Sequence, residues 1–187
     1  VAGRSAGHIV PCLTYVQKLL EQDNAQKVLF FSTDTPLDRI ASQKFSFISR
    51  HIFLAFDGPS QYRWYYYPFF LWKLLKVTLK TLYWILKERP YVIISTGGYV
   101  SIPVCVIGYF LGIRIELFEL NAVPGRATHF LSHFASIIYV CFEQTKQTFA
   151  KKSCLIVPYP LRFKRTLDTS YSSKKKLSYL GLQDNKK

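Results

Sequence analysis

The sequence contains no methionine and only 11 acidic residues against 25 basic ones, and none of its four cysteines forms a C-x-x-C pair. The cysteines lie far apart, and three of them sit in apolar runs, where a thiol packs as a small hydrophobe. This pattern favours reduced thiols in a cytosolic protein over disulfides. No N-terminal stretch has the basic, apolar and small-residue order of a signal peptide.

Metal-binding patterns are also missing. His129 and His133 are spaced like two zinc ligands on a helix, but no glutamate base lies between them and no third ligand is near in the sequence. No Asp-x-Asp pair is present to hold a metal-bound nucleotide. We therefore expect neither a metal ion nor another cofactor.

Residues 90–113 carry no charge and are numerous enough for a membrane-spanning helix. Gly97 and Gly98 interrupt this segment, Pro103 follows them, and residues 91–95 are rich in β-branched side chains, like a buried strand. A strand, a glycine turn and a helix explain the segment better than one spanning helix.

The chain has 187 residues, 49% of them hydrophobic, which is enough for one full-sized core. The basic excess is concentrated in residues 146–187, where 11 side chains are basic and 2 are acidic. Such a charge favours an anionic partner, whether a phospholipid surface, a diphosphate or a nucleic acid. Val1 and Ala2 run straight into a glycine-containing turn, so the strand expected before it is almost absent and we expect a fragment at its start.

Apolar β-type runs alternate with stretches of helical period, which indicates a doubly wound α/β fold with a parallel sheet. The predicted strands cover residues 27–31, 47–56, 91–95, 113–118, 137–141 and 154–157. The predicted helices cover residues 11–21, 36–43, 69–88, 100–111, 125–134 and 143–150. After Val157 a basic stretch rich in Ser and Thr predicts a linker or tail.

Two glycine turns join a predicted strand to a predicted helix, at residues 3–8 and at residues 95–101. Small residues there let the backbone approach a ligand, and free N–H groups at a helix start can bind phosphate. We expect Pro11 in the first turn of the first helix. His8 lies at that helix start, where it either accepts a proton from a substrate or caps the helix.

A third segment, residues 119–125, follows the strand predicted at 113–118. The two glycine turns follow the carboxyl ends of parallel strands and can face one crevice. Glu119 and Asn121 would project from their strand end into the same crevice. The alternative is an ordinary Asn-Pro-Gly loop with a solvated Glu119.

The segments GRSAGHIVP, GGYVSIP, ELNAVPG and VPYPLR, in this order, resemble the MurG family of glycosyltransferases (family 28), whose N-terminal domain carries GGTGGH, GGYVSGP, EQNAVPG and VGNPVR. The resemblance covers Val1 to about Arg162. It implies the Rossmann-like N-terminal domain of a GT-B glycosyltransferase. Residues 1–160 would bind acceptor and membrane, residues 161–187 would form a basic interdomain linker, and a C-terminal donor-binding domain, in cis or in trans, would complete the enzyme.

The resemblance implies a role for individual residues, with His8 as the catalytic base. Donor contacts are implied for Ser5, Ala6, Gly7, Asn121 and Arg162. Contacts to the acceptor or its diphosphate are implied for Gly97, Gly98, Tyr99 and Glu119. Departures from the family pattern occur at Arg4, Ala6, Ile102, Leu120, Pro158 and Tyr159.

The helix predicted at 69–88 carries a basic stripe within an arc of about 60° at ~100° per residue. Its lysines are Lys73, Lys76, Lys80 and Lys87, and Trp72 and Trp84 flank them. We expect the opposite face, with Leu71, Leu74, Leu75, Leu82, Ile85 and Leu86, to pack on the core. Tryptophan beside lysine suits an anionic bilayer surface, and a solvated lysine face is the alternative.

Taken together, the resemblance implies an inverting transfer of N-acetylglucosamine from UDP-N-acetylglucosamine to a lipid-linked muramyl-peptide during peptidoglycan synthesis. The enzyme would work at the cytoplasmic face of the bacterial plasma membrane, and the resemblance disfavours a nucleic-acid partner. Two alternatives stay open: a membrane-recruiting subunit of a split UDP-N-acetylglucosamine transferase, and a non-catalytic basic module that binds membrane or nucleic acid.

Overall fold

A computed structural model describes residues 1–3, 6–21, 27–55, 67–149 and 153–159. All six predicted strands and all six predicted helices are present, with shifted ends. The strands are Val28–Ser32 (β1), Ile48–Phe53 (β2), Val92–Ser95 (β3), Arg114–Glu119 (β4), Ile137–Val140 (β5) and Cys154–Ile156 (β6). The helices are Ala6–Leu20 (α1), Pro36–Gln43 (α2), Tyr67–Glu88 (α3), Ser101–Phe110 (α4), Arg126–Leu131 (α5) and Glu143–Thr148 (α6).

All strand pairs are parallel, in the order β1-β2 and β3-β4-β5-β6. The segment Val1–Gly3 lies between the two groups of strands. The amide of Ala2 donates to the Phe31 carbonyl (3.2 Å), and the amide of Thr96 donates to the Val1 carbonyl (3.3 Å). The short extended segment predicted before the first turn therefore joins β1 to β3.

Helices cover both faces of the sheet, as predicted. Successive strand residues point to opposite faces. Phe31 and Ile93 pack with α3, α4 and α5 residues in one buried cluster, whereas Phe30 and Ile94 pack with α1 and α2 residues in another. The fold is a Rossmann-like, doubly wound parallel sheet.

A groove of about 420 Å³ separates the amino ends of β1 and β3. Val28 and Val92 line its two sides, and Leu13 and Val16 of α1 form part of its floor. The groove lies at the opposite edge of the sheet from the glycine turns, because those turns follow the carboxyl ends of the strands. It therefore belongs to the packing of the sheet and not to the predicted site.

The first helix begins earlier than predicted, at Ala6, so Pro11 lies inside α1 and not in its first turn. Pro11 has no N–H to donate to the Gly7 carbonyl one turn before it. The Tyr159 hydroxyl lies 3.5 Å from that carbonyl and takes the place of the missing donor. The helix tolerates Pro11 because the lost bond falls near its start, where the carbonyl can find another partner.

The uncharged segment 90–113 forms β3, the second glycine turn and α4, as predicted. No helix within the described ranges is long and apolar enough to cross a membrane. All four cysteines are free thiols, also as predicted.

Candidate functional site

The first glycine turn leads into α1, and His8 is the third residue of that helix. The imidazole is partly buried, and its Nδ1 is shielded from solvent with no hydrogen-bond partner in the described part of the chain. The amides of Gly7 and His8 lie in the first helical turn, where a helix offers them no internal acceptor. The turn thus presents main-chain amides and an imidazole side by side.

The second glycine turn depends on the left-handed backbone of Gly97 (φ +82°) and Gly98 (φ +84°). The Gly97 amide donates to Ser95 Oγ (3.1 Å), and its carbonyl accepts from Ser101 Oγ (2.6 Å). The amides of Gly98 and Tyr99 have no acceptor among the described residues. An anion at this turn would therefore meet these two amides at the start of α4.

The two glycine turns are in direct contact. Thr96 Oγ1 donates a 3.1 Å hydrogen bond to the His8 carbonyl. A Cβ placed on Gly98 would lie 4.0 Å from the Gly3 carbonyl oxygen. The starts of α1 and α4 therefore open into one crevice at the carboxyl edge of the sheet, where α/β proteins bind ligands.

Glu119, at the end of β4, has an exposed fraction of only 2%. Its Oε1 accepts from the main-chain amide (2.9 Å) and the side-chain Nδ2 (3.0 Å) of Asn121, and its Oε2 accepts from the Gly125 amide (3.1 Å). The prediction that Glu119 projects into the crevice is wrong, because the donors of its own loop occupy the carboxylate. Asn121 is exposed, as predicted.

Thr128 of α5 connects the second glycine turn with this loop. Its Oγ1 would lie 2.5 Å from a Cβ on Gly97 and 3.9 Å from a Cβ on Gly125. Thr128 itself is 3% exposed. The 119–125 loop therefore flanks the same crevice as the two glycine turns.

Two tyrosines border the site in different ways. Tyr99 is partly buried against the core beneath the second turn, so part of its ring is occupied by packing. Tyr159, which follows β6, reaches the Gly7 carbonyl with its hydroxyl. Burial, reinforced by the charge of nearby Cys141, raises the pKa of Tyr159, so the phenol is a hydrogen-bond donor at neutral pH.

Several predicted donor contacts fall outside the described residues. Ser5 and Arg162 are among them, as is the side chain of Ala6. Gly7 lies at the exposed start of α1. The structure thus brings together His8, Gly7, Gly97, Gly98, Tyr99, Glu119 and Asn121.

Three threonines take part in the site without having been predicted: Thr96, Thr128 and Thr145. Thr145 of α6 is fully buried, and its Oγ1 lies 3.0 Å from the Asn121 carbonyl and 2.8 Å from the Ala122 carbonyl. Thr96 could have been suspected, since it directly precedes Gly97. Thr145 carries no sequence signal, because only the fold brings α6 against this loop.

Several leucines of α3 that were predicted to pack on the core are exposed in the structure. The helix packs through Val77, Thr81 and Ile85, which are 6%, 0% and 1% exposed. Leu71, Leu75, Leu79 and Leu86 are instead 59%, 48%, 56% and 52% exposed. The prediction that Leu71, Leu75 and Leu86 pack on the core is wrong, because they lie roughly 80–140° around the helix from Thr81 at ~100° per residue.

The lysines of α3 adjoin this exposed leucine stripe. Lys76 lies over the ring of Trp72 (4.9 Å), and Lys87 lies over the rings of Tyr83 (5.4 Å) and Trp84 (5.1 Å). Trp72 is 53% exposed. The remaining lysines have their own contacts: Lys73 lies over Phe69, and Lys80 donates to the Phe53 carbonyl.

Trp84, which was predicted to contact the membrane, is partly buried, and Arg50 stacks on its ring at 4.6 Å. In the described ranges no group of three or more His, Cys, Asp or Glu side chains could hold a metal ion. The exposed surface of α3 therefore combines lysines with leucines, Phe69, Trp72 and Tyr83.

Known proteins resemble this chain in sequence and fold. The glycosyltransferase family 28 N-terminal domain matches residues 1–140. The UDP-N-acetylglucosamine–N-acetylmuramyl-(pentapeptide) pyrophosphoryl-undecaprenol N-acetylglucosamine transferase of Thermotoga neapolitana is 32% identical over 78% of this chain and 43% of its own length. The Bacillus subtilis protein of the same name is 24% identical over 99% of this chain and 50% of its own length.

Among solved structures, MurG of Acinetobacter baumannii superposes with a TM-score of 0.68 at 22% identity, over 84% of this chain and 44% of that one. UDP-GlcNAc 2-epimerase of Neisseria meningitidis superposes with a TM-score of 0.65 at 11% identity, over 99% of this chain and 54% of that one. These structures establish the fold as the N-terminal domain of the GT-B type. The chain spans about half the length of the relatives it matches, and its family match places it among the N-terminal domains of glycosyltransferase family 28.

Proposed function

We propose that this chain is the acceptor-binding half of an N-acetylglucosaminyltransferase of peptidoglycan synthesis, with UDP-N-acetylglucosamine as donor and a lipid-linked muramyl-peptide as acceptor. The contact between the two glycine turns through Thr96 and His8 carries the proposal, because it brings together the starts of α1 and α4, with His8 on the first of them. The names of the relatives suggest the substrates.

In the proposed reaction, His8 takes the proton of an acceptor hydroxyl as its oxygen bonds to the anomeric carbon of the donor sugar. The bond from that carbon to the diphosphate oxygen breaks, and UDP leaves with the electron pair. Attack from the opposite side inverts the configuration. The amides at the starts of α1 and α4 stabilise the diphosphate charges.

A lipid-linked acceptor requires that the enzyme work at a bilayer, which we propose is the cytoplasmic face of the plasma membrane. The exposed leucine stripe of α3 supports this proposal, since it adjoins Trp72, Lys76 and Lys87. Leucines would enter the interface while lysines meet anionic headgroups.

A transfer assay tests the proposal. The chain is fused to the C-terminal half of the Bacillus subtilis relative, and labelled N-acetylglucosamine is followed into the lipid-linked acceptor. We expect product, and His8→Gln should lower kcat by about 100-fold or more through loss of the base. His133→Gln is the matched control, because this exposed histidine lies in the turn after α5, where its Nδ1 is next to the Phe130 carbonyl.

A folded fusion that binds UDP-N-acetylglucosamine but forms no product contradicts the proposed reaction, and an unimpaired His8→Gln enzyme excludes His8 as the base. Supplying the C-terminal half as a separate chain tests the split arrangement. Retention on RNA in preference to anionic vesicles at matched salt would instead favour the non-catalytic basic module.

A further inference from the structure

The loop that follows β4 is organised around one buried carboxylate. Glu119 accepts three hydrogen bonds, two from Asn121 and one from the Gly125 amide, all between 2.9 and 3.1 Å. Hydrogen bonds to a carboxylate are stronger than those between neutral groups. At 2% exposure and with both oxygens engaged, Glu119 cannot contact a substrate unless its loop opens.

The same loop is held from its other side by α6. The Thr145 hydroxyl lies within hydrogen-bonding distance of two consecutive carbonyls, those of Asn121 and Ala122, and Thr145 is fully buried. The main chain of Asn121 is therefore fixed at its amide by Glu119 and at its carbonyl by Thr145. Only its side chain can respond to a ligand.

The chemistry of Glu119 also decides which end of the Asn121 side chain is free. An ionised carboxylate has no proton to donate, so the Asn121 group at 3.0 Å from Oε1 must be the NH₂ group. The carbonyl oxygen, Oδ1, then points away from Glu119 on an exposed residue. This assignment follows from the network, because the opposite orientation would place the amide oxygen against a carboxylate oxygen.

We propose that Glu119 is a positioning residue that holds the Asn121 amide with its carbonyl oxygen toward the crevice, so that the site accepts a hydrogen-bond donor from the sugar at this point. The matching donor is a sugar hydroxyl or the acetamido N–H. This inference rests on the proposed function for the identity of the ligand, and it reassigns Glu119 from binding the acceptor to orienting Asn121.

The orientation can be tested on the 187-residue chain alone. The chain has three asparagines, Asn24, Asn121 and Asn185, so ¹⁵N-asparagine labelling gives three side-chain amide pairs, and Asn121→Ala identifies the pair of interest. We expect one side-chain amide proton of Asn121 to exchange with solvent at least about 10-fold more slowly than its geminal partner. This difference corresponds to the net free energy of about one hydrogen bond. Equal exchange of the two protons in the wild-type chain overturns the proposal, and Asn121→Ala is needed only to assign the pair.

Glu119→Leu tests the cause. Leucine has no acceptor, so the main-chain amide and the side-chain NH₂ group of Asn121 both lose their partner. We expect the slow Asn121 proton to become as fast as its partner. Retained protection in a folded Glu119→Leu chain means that something other than the carboxylate fixes the amide and overturns the proposal.

Kinetics of the fused enzyme separate positioning from a general structural role. If Glu119 acts through Asn121, then Glu119→Leu should raise KM for the donor about as much as Asn121→Ala does, and the double variant should be no worse than Asn121→Ala alone. Additive effects of the two substitutions overturn the proposal. A fusion without any transfer activity contradicts the proposed function instead, and the exchange measurement still decides the orientation of Asn121.

Discussion

Thr96 Oγ1 donates a 3.1 Å hydrogen bond to the main-chain carbonyl of His8, and this bond joins the two glycine turns across 88 residues of sequence. Thr96 is 2% exposed, so its hydroxyl cannot exchange this partner for water. We expect Thr96→Val to lower the free energy of unfolding by about 1 kcal/mol, because the shape is kept and one buried hydrogen bond is lost. Urea unfolding measures the loss, and Thr96→Ser, which keeps the hydroxyl, should restore most of it.

Gly97 cannot carry a side chain in this turn. A Cβ there meets Thr128 Oγ1 at 2.5 Å, and the backbone φ of +82° strains any other residue. Gly97→Ala should therefore destabilise the protein by on the order of 2–4 kcal/mol, from strain and overpacking together.

Gly112 provides the matched control for Gly97, since its φ is +71° and a Cβ there meets nothing within 4 Å. Gly112→Ala should cost only the conformational strain, about 1–2 kcal/mol. Adding Thr128→Ala to Gly97→Ala removes the hydroxyl that the new Cβ meets. The loss in unfolding free energy should then fall toward that of Gly112→Ala. Equal losses for the two single glycine variants would show that the contact with Thr128 is unimportant.

Two buried threonines differ in whether their hydroxyls have partners. Thr145 bonds two carbonyls of the 119–125 loop, whereas Thr81 in α3 is equally buried and has no partner in the described chain. Thr145→Val should cost about 1–3 kcal/mol of unfolding free energy, because the single O–H that the two carbonyls share is lost. Thr81→Val should leave stability unchanged or raise it by about 1 kcal/mol, since an unpaired hydroxyl is removed from the core. Thermal and urea unfolding of both variants decide the comparison, and the same sign of change for both would contradict it.

The sequence was sufficient for the fold because the relevant signals are local. The uncharged segment 90–113 could be divided correctly, since Gly97 and Gly98 mark the turn and residues 91–95 have the composition of a buried strand. The start of α1 was misplaced because Pro11 normally marks a first turn, and its effect inside the helix is offset by a residue as distant as Tyr159.

The site could be predicted only in outline, because the direction of a side chain depends on tertiary neighbours. Glu119 was placed correctly at a strand end, but its carboxylate turns inward to donors that belong to its own loop. On α3, helical periodicity located the lysine stripe, yet the packed face could not be told from the other apolar arc. Leu74 and Leu75 are the same residue type at adjacent positions, so the sequence cannot tell which of them packs. In the structure Leu74 packs against the core, whereas Leu75 is exposed.

His51 should make stability depend on pH. Its ring lies between two serines, with Nε2 2.7 Å from Ser32 Oγ and Nδ1 3.2 Å from Ser42 Oγ. Burial lowers the pKa of His51 below its ordinary value of 6.5, so the unfolded chain binds its proton more readily than the folded one. The free energy of unfolding should be constant above about pH 6.5 and fall as the pH drops below it toward the native pKa.

Urea titrations between pH 5 and pH 8 measure this effect, and His51→Gln should flatten the profile over that range. His133→Gln, at an exposed histidine, serves as the control substitution. A wild-type profile that rises on acidification would contradict the assigned direction.

The exposed leucines of α3 should contribute directly to vesicle binding. Leu75→Ser combined with Leu79→Ser removes apolar area from the stripe without changing charge, and we expect the partition coefficient for anionic vesicles to fall by roughly 10-fold. The matched control is Leu37→Ser with Ile40→Ser on α2, which are 46% and 57% exposed but are not part of the α3 surface. Sedimentation with phosphatidylglycerol vesicles provides the measurement, and equal losses for the two pairs would indicate unspecific adhesion.

Lysines of the same surface should act through charge, so their contribution should depend on salt. Lys76→Gln with Lys87→Gln is expected to cost about 1 kcal/mol of binding free energy per lysine at low ionic strength, which is roughly 5-fold each. The loss should shrink as added salt screens the surface, whereas the loss from the leucine pair should persist, because apolar burial does not depend on screening. A lysine effect that stays constant from low to high salt would mean that these side chains support the fold of α3 through their contacts with Trp72 and Tyr83 rather than meeting a charged bilayer.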